Sequence, residues 1–363
     1  MADLASRGRS GPHPTTAASL HRLVGLAPPE FDRAGVAAAT GVQSERVRRW
    51  WRALGFPEVA DDESAFSLDD IDMVKRLSML VSVGLIDDDD VLRLARLHGT
   101  TFSRLAEAQI ATIDEILANL PGATATDSPR DRLRLLVGGG GTEVIDTFEP
   151  SLLYVWRRHL LASIGRWISA DSGTSDAAVG FGDLARFTKL SERLEPADLA
   201  RLIDRFEATC FDVVSAASAR VVKLIGDEVM FVAGGLEAGV DICLELIARL
   251  AEIPDMPELR CGIAFGSTVG VGGDVFGPTV NLASRLTGIA RPGSVMVTRA
   301  EAASLGPIDR FFVRPIHRRY DLEGIGRVAV SVIRRIEPAA PAVGDAAVVD
   351  PAVVDGPDAA GSS

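Results

Sequence analysis

The stretch "ARVVKLIGDEVMFVA", residues 219–233, decides how this 363-residue chain reads. Two apolar runs rich in β-branched residues flank the dipeptide Gly226-Asp227, which is the signature of a β-hairpin. One residue in it is out of character. The chain uses arginine almost everywhere and has only three lysines, yet Lys223 stands four positions before the acidic pair Asp227-Glu228.

Working outward, strands and helices alternate. The strand "AAVGFGDL" from Ala177 precedes a helix through "PADLARLIDRFEATCFDVVSAA". The hairpin is followed by a helix through "GVDICLELIARLAEI", the strand "LRCGIAFGSTVGV", a helix through "TVNLASRLTGIA" and the strand "SVMVT". This order suits a β-α-β-β-α-β, ferredoxin-like palm with additions, an α+β arrangement within the broad α/β class. In such a palm Asp183, at the end of the first strand, lies beside Asp227 although the two are 44 positions apart. Paired carboxylates on an oxygen-lined site favour Mg²⁺ or Mn²⁺, with substrate phosphates completing the shell. Taken singly, each is as readily an ordinary turn aspartate.

Upstream the texture is helical. "FDRAGVAAATGVQSERVRRWWRALGF" holds two short apolar-periodic segments hinged at Gly41, and Ser67 with Asp70 reads as a capping box. The aspartates at 87–90 suit the first turn of a helix, where the dipole favours acids, better than a metal site. "GGGG" at 138–141 has no preceding strand and no following Lys-Ser/Thr, so it is a turn and not a phosphate loop. Apolar residues at 152, 153, 156, 160, 164, 167 and 168 predict one amphipathic helix over 150–168. The expected layout is a disordered tail over 1–18, a helical domain over 19–149, a connecting helix and linker over 150–172, the palm over 173–336 and a disordered tail over 337–363.

Composition excludes several classes. A formal net charge of −12 argues against a bulk anionic partner such as nucleic acid. No run of eighteen apolar residues provides an integral membrane segment, and the N-terminus has no apolar signal core, so the cytoplasm is the expected location. Cys210, Cys243 and Cys261 fit no metal or redox spacing and suit buried reduced thiols.

Three blocks, "VGFGDLARFTKLSE", "VVKLIGDEVMFV" and "GDVFGPTVNLASRL", resemble the signature blocks of class III nucleotidyl cyclases. The resemblance runs from Ala177 to Ile336. It implies two metal ions, Mg²⁺ or Mn²⁺, on Asp183 and Asp227, base reading by Lys223 and Asp274, ribose orientation by Asn281 and transition-state stabilisation by Arg285. It also implies ATP as substrate, cyclic AMP and pyrophosphate as products, and a head-to-tail homodimer, because one chain carries both halves of the site. The residue types suit these roles: a lysine donates to adenine N1 and a carboxylate accepts from the N6 amino group, whereas guanine presents the opposite pattern. Glu323 departs from the family, which often has a phosphate-contacting lysine there; Arg318 and Arg319 are the nearby cations.

The helical N-terminal part resembles the autoinhibitory domain of pH-sensing adenylate cyclases from mycobacteria and related actinobacteria. His98 and His159 are the titratable candidates, while a small molecule, a lipid or a proton remains open as regulator. Two rival readings stand beside this one. A guanylate cyclase is disfavoured by the Lys223/Asp274 pair. A DNA-binding regulator would use the helix-turn-helix-like segment with Arg46, Arg48, Arg49 and Arg52, but residues 19–150 hold 14 Lys/Arg against 22 Asp/Glu.

Overall fold

The computed structural model describes residues 20–21, 23–119, 128–129, 131–132, 141–169, 175–306 and 311–336. Both expected tails, residues 138–140 of the glycine run and the expected linker over 170–172 lie outside these. The chain divides into two compact units, Met1–Ser169 and Ala170–Ser363.

The first unit is helical. Helices α1 (Arg33–Thr40) and α2 (Ser44–Ala53) meet at Gly41, whose left-handed φ of 71° closes α1. Helix α3 (Leu68–Ser82) starts on a capping box of Ser67 with Asp70, and α4 (Asp88–Ala118) on one of Asp87 with Asp90. The aspartate run is therefore cap and first turn, as the dipole argument expects. Val36, Val47, Trp50, Phe66, Ile71 and Val91 bury themselves as one core. Arg33 is buried at its edge, donating to the Val59 carbonyl at 2.6 Å and pairing with Asp61.

Helix α5 (Gly141–Ser169) corrects the expected start at residue 150: it begins nine residues earlier and carries Pro150 in its interior. Inside a helix proline removes one N–H···O=C bond and the helix continues through it. Phe148, Leu153, Trp156, Leu160, Ile164 and Trp167 are all exposed on α5. No helix among the described residues is long and apolar enough to cross a membrane.

The second unit runs β1 (Ser175–Leu184), α6 (Phe187–Ser191), α7 (Pro196–Ala216), β2 (Arg220–Ile225), β3 (Glu228–Ala233), α8 (Leu236–Ala251), β4 (Leu259–Val271), β5 (Asp274–Phe276) and α9 (Pro278–Ile289). It ends with β6 (Val295–Thr298), α10 (Arg299–Ser304), β7 (Phe311–Leu322) and β8 (Gly326–Arg335). The sheet order is β2-β3-β1-β4-β6-β8-β7, with β5 paired to β4 off this path. The first four strands are antiparallel neighbours in the order expected of the palm. Strand β4 then pairs in parallel with β6, which extends the sheet through the β7–β8 hairpin.

Alternation along the strands splits the core into two layers. Phe231, Ile263 and Leu184 face α7 and α8, meeting Phe206, Cys210, Val240 and Leu246. Val179, Phe181, Met230 and Ala264 face α9, meeting Ala283 and Leu286. Gly262 sets how close α9 comes to β4: a Cβ there would lie 2.2 Å from the Thr287 backbone nitrogen and 2.6 Å from the Ala283 carbonyl oxygen. A backbone cannot yield as a side-chain tip does. We therefore expect Gly262→Ala to push α9 off the sheet, costing about 1–3 kcal/mol. Thermal unfolding should show a lowered Tm.

Candidate functional site

The end of β1 is crowded with charge. Register places Asp183 opposite Glu228 of β3 on one side and Arg260 of β4 on the other. Arg260 donates through Nε to Asp183 Oδ2 at 2.6 Å, and a second guanidinium nitrogen lies 2.5 Å from the same oxygen. The β2–β3 turn needs Gly226 in the left-handed region, φ 62°, and so presents Asp227 next to this pair. The Leu184 N–H donates to the Asp227 carbonyl at 3.1 Å, tying the turn to the strand.

The electrostatics fit a cation. Burial first, and then the charge on Asp183, hold the Asp227 carboxyl above its ordinary range against the opposing pull of a backbone hydrogen bond and Arg260. Glu228 is raised in the same way, by burial and by both aspartates. Burial is the main reason these two carboxyls hold their protons more readily than exposed ones, and the neighbouring acids add to it. The donors are all hard oxygens, and among the described residues no set of three His, Cys, Asp or Glu is arranged to hold a metal alone. Hard oxygens of this kind would suit a Mg²⁺-type ion only with other oxygens completing its shell.

Lys223 of β2 and Asp274 of β5 form the second cluster. Lys223 Nζ lies 2.5 Å from Asp274 Oδ2, while Asp274 Oδ1 accepts the Val275 N–H at 2.7 Å. Burial works to raise the Asp274 carboxyl, but its bonds to Lys223 and Val275 outweigh this and hold it low, hence charged. A donor and an acceptor are thus presented side by side.

The third cluster is on α9, where Asn281 and Arg285 are one turn apart. With Ser284, Glu323, Gly324 and Ile325 they line a depression of about 370 Å³. Arg285 and Glu323 are 3.6 Å apart. Neither Asp183 nor Asp227 belongs to that wall. The structure therefore brings the six expected residues together as three pairs, not as one pocket. Arg318 lies over the Tyr320 ring, 5.3 Å from its centroid.

Two residues of the carboxylate cluster escaped the sequence reading. Glu228 is the second acid of the "GDE" turn, and only its register opposite Asp183 gives it weight. Arg260 sits inside the strand "LRCGIAF" with no motif of its own. One further oddity is Arg186, three residues after Asp183: it is exposed, with φ 64° at the N-cap of α6. Left-handed backbone costs a residue with a Cβ about 1–2 kcal/mol. His98 and His159 are both exposed.

Residues 170–333 match the adenylate and guanylate cyclase catalytic domain family. An adenylate cyclase of Streptomyces coelicolor is 41% identical over 275 residues, covering 74% of this chain and 70% of its own length. One of Glutamicibacter nicotianae is 36% identical over 316 residues, 82% of this chain and 77% of its own. A pH-sensitive adenylate cyclase of Mycobacterium tuberculosis is 30% identical over 276 residues, 73% and 68% respectively.

Asp227 gives a stability test. Because its folded pKa is raised, the wild-type side chain favours the native state at low pH and loses that contribution as pH rises through the folded value. Asp227→Asn should therefore unfold at a Tm about 1–3 °C above wild type at pH 7.5, the gain vanishing near pH 4. Scanning fluorimetry across pH measures it.

Proposed function

This chain belongs to the adenylate and guanylate cyclase family, and we propose that it is an adenylate cyclase, converting ATP to 3',5'-cyclic AMP and pyrophosphate at a homodimer interface. The observation that carries the substrate choice is the Lys223–Asp274 pair. Its ammonium donates to adenine N1 and its carboxylate accepts from N6, whereas guanine would meet donor with donor and acceptor with acceptor. A guanylate cyclase reading fails on that mismatch.

Asp183 and Asp227 would hold two divalent ions, Mg²⁺ or Mn²⁺, which supply 3'-hydroxyl activation and charge neutralisation on the leaving pyrophosphate. The chain's own groups do the rest. Asn281 orients the ribose so that its 3'-oxygen faces the α-phosphorus in line. Arg285 takes the charge that builds on the α-phosphoryl oxygens as the new O–P bond forms and pyrophosphate departs. Nothing in this requires a protein nucleophile.

The separation of the three pairs supports a site built between two copies, with Asp183 and Asp227 from one and Lys223, Asp274, Asn281 and Arg285 from the other. Co-expressed Asp227→Ala and Arg285→Ala chains, each inactive alone, should then recover about a quarter of wild-type activity, since half of the dimers carry one intact site. Absence of recovery with dimers present would overturn the shared site. For the base readers, Asp274→Asn should lower kcat/KM for ATP by about 10–100-fold and narrow the preference over GTP. Initial rates with each nucleotide and Mn²⁺ test it.

The helical N-terminal unit is read as a regulatory domain acting on the catalytic one. A DNA-binding role is opposed by ion pairs that occupy its arginines: Arg46 pairs with Asp88, and Arg48 and Arg52 with Glu58. Comparing cyclic AMP formation by the full chain and by a chain beginning at Ala170, over pH 5.5–8, tests the control. Identical profiles would remove it.

A further inference from the structure

The chain as a whole is acidic, with a formal net charge of −12, yet the β7–β8 hairpin is the reverse. Residues 311–336 hold six arginines against Asp321 and Glu323, a balance of +4. Arg335 pairs with Glu245 at 2.9 Å. Among the described residues no carboxylate pairs with the other five, Arg314, Arg318, Arg319, Arg327 and Arg334, and all five are exposed.

Register sorts them by face. Arg334 stands opposite Phe312, and Arg314 opposite Val332, so these three share the face that carries Val332, Val330 and Tyr320. Arg318 joins them, its guanidinium over the Tyr320 ring. Phe312 is 55% exposed among these cations. Arg319 and Arg327 fall on the other face. Edge protection explains part of this pattern, since β7 ends the sheet and cations on an edge strand keep it from pairing with another sheet. Arg334, however, is on the inner strand β8, where such a guard gains nothing, and like charges on adjoining positions of one face repel.

The matching charge is in the same chain. Residues 337–363 follow directly from Ile336 and contain Glu337, Asp345, Asp350, Asp355 and Asp358, with no Lys, Arg or His. Ala-Val-Val-Asp occurs twice, at 347–350 and 352–355, so apolar side chains accompany the acids. Reach is ample: these 27 residues can extend about 3.3 Å each, whereas β7 is 12 residues long and starts opposite Arg335. Tethering at residue 336 holds the acids at roughly millimolar effective concentration over the hairpin, which lets individually weak ion pairs act together.

We propose that the acidic C-terminal segment, residues 337–363, lies along this face of the β7–β8 hairpin of its own chain, its carboxylates meeting Arg314, Arg318 and Arg334 and its valines covering Phe312. The proposal does not depend on the cyclase reading.

An arginine-selective dicarbonyl reagent tests it on the full chain, with modification at each arginine followed by mass spectrometry. The comparison is a variant carrying Asp345→Asn, Asp350→Asn, Asp355→Asn and Asp358→Asn. The wild type should react about threefold more slowly than this variant at Arg314, Arg318 and Arg334, and equally at Arg319 and Arg327. In about 0.5 M NaCl the difference should vanish, because screening shortens the reach of charge to a few ångströms. Equal rates in the two chains at all five arginines overturn the proposal, as does equal slowing on both faces, which is a diffuse field effect. Slowing that grows with protein concentration assigns the face to the segment of a second copy and overturns it as well.

Discussion

The hydrogen bond from the Leu184 N–H to the Asp227 carbonyl is the constraint on which the rest depends. It joins the last residue of β1 to the β2–β3 turn and so converts two sequence-distant aspartates into neighbours. Once they are neighbours, burial and repulsion drive the local electrostatics: Asp227 and Glu228 are pushed up, and Arg260 is drawn onto Asp183. A fold that crowds acids in this way is less stable than one that does not. That deficit is what the divalent ions of the proposed site would relieve.

The same logic separates scaffold from chemistry in the catalytic unit. Antiparallel pairing of β1 with β3 and β4 fixes the carboxylate end, while the contact of α9 with Gly262 fixes the height of Asn281 and Arg285 above the sheet. Lys223 and Asp274 are joined by their own ion pair, on strands carried by β3 and β4. Three small rigid groups, each defined by local packing, are easier to keep in order than one large pocket. Their assembly then becomes a question of which surfaces meet.

Much of this was legible in the sequence. Alternating apolar residues and the Gly226-Asp227 turn carried the palm, and the capping box at Ser67 and the aspartate run at 87–90 carried two helix starts. The β7–β8 hairpin was not legible, because β7 is an edge strand with Pro315, three arginines and a half-exposed, irregular pattern. The early start of α5 was not legible because the apolar period that marks the helix begins only at residue 152. Glu228 and Arg260 needed the register, since strand neighbours come from distant sequence. The left-handed backbone of Arg186 was invisible, as nothing in "DLARFT" announces a positive φ.

The three cysteines add a different kind of readout. Cys210, Cys243 and Cys261 are buried together in the layer between sheet and helices, and desolvation pushes the Cys210 thiol up to about 12. Thiolate is the reactive form, so an alkylating reagent meets these sulfurs only when that layer opens. Cys261 adjoins Arg260, and through it Asp183. The rate of alkylation is accordingly a built-in clock for the breathing of the sheet beneath the carboxylates, legible without adding any probe to the molecule.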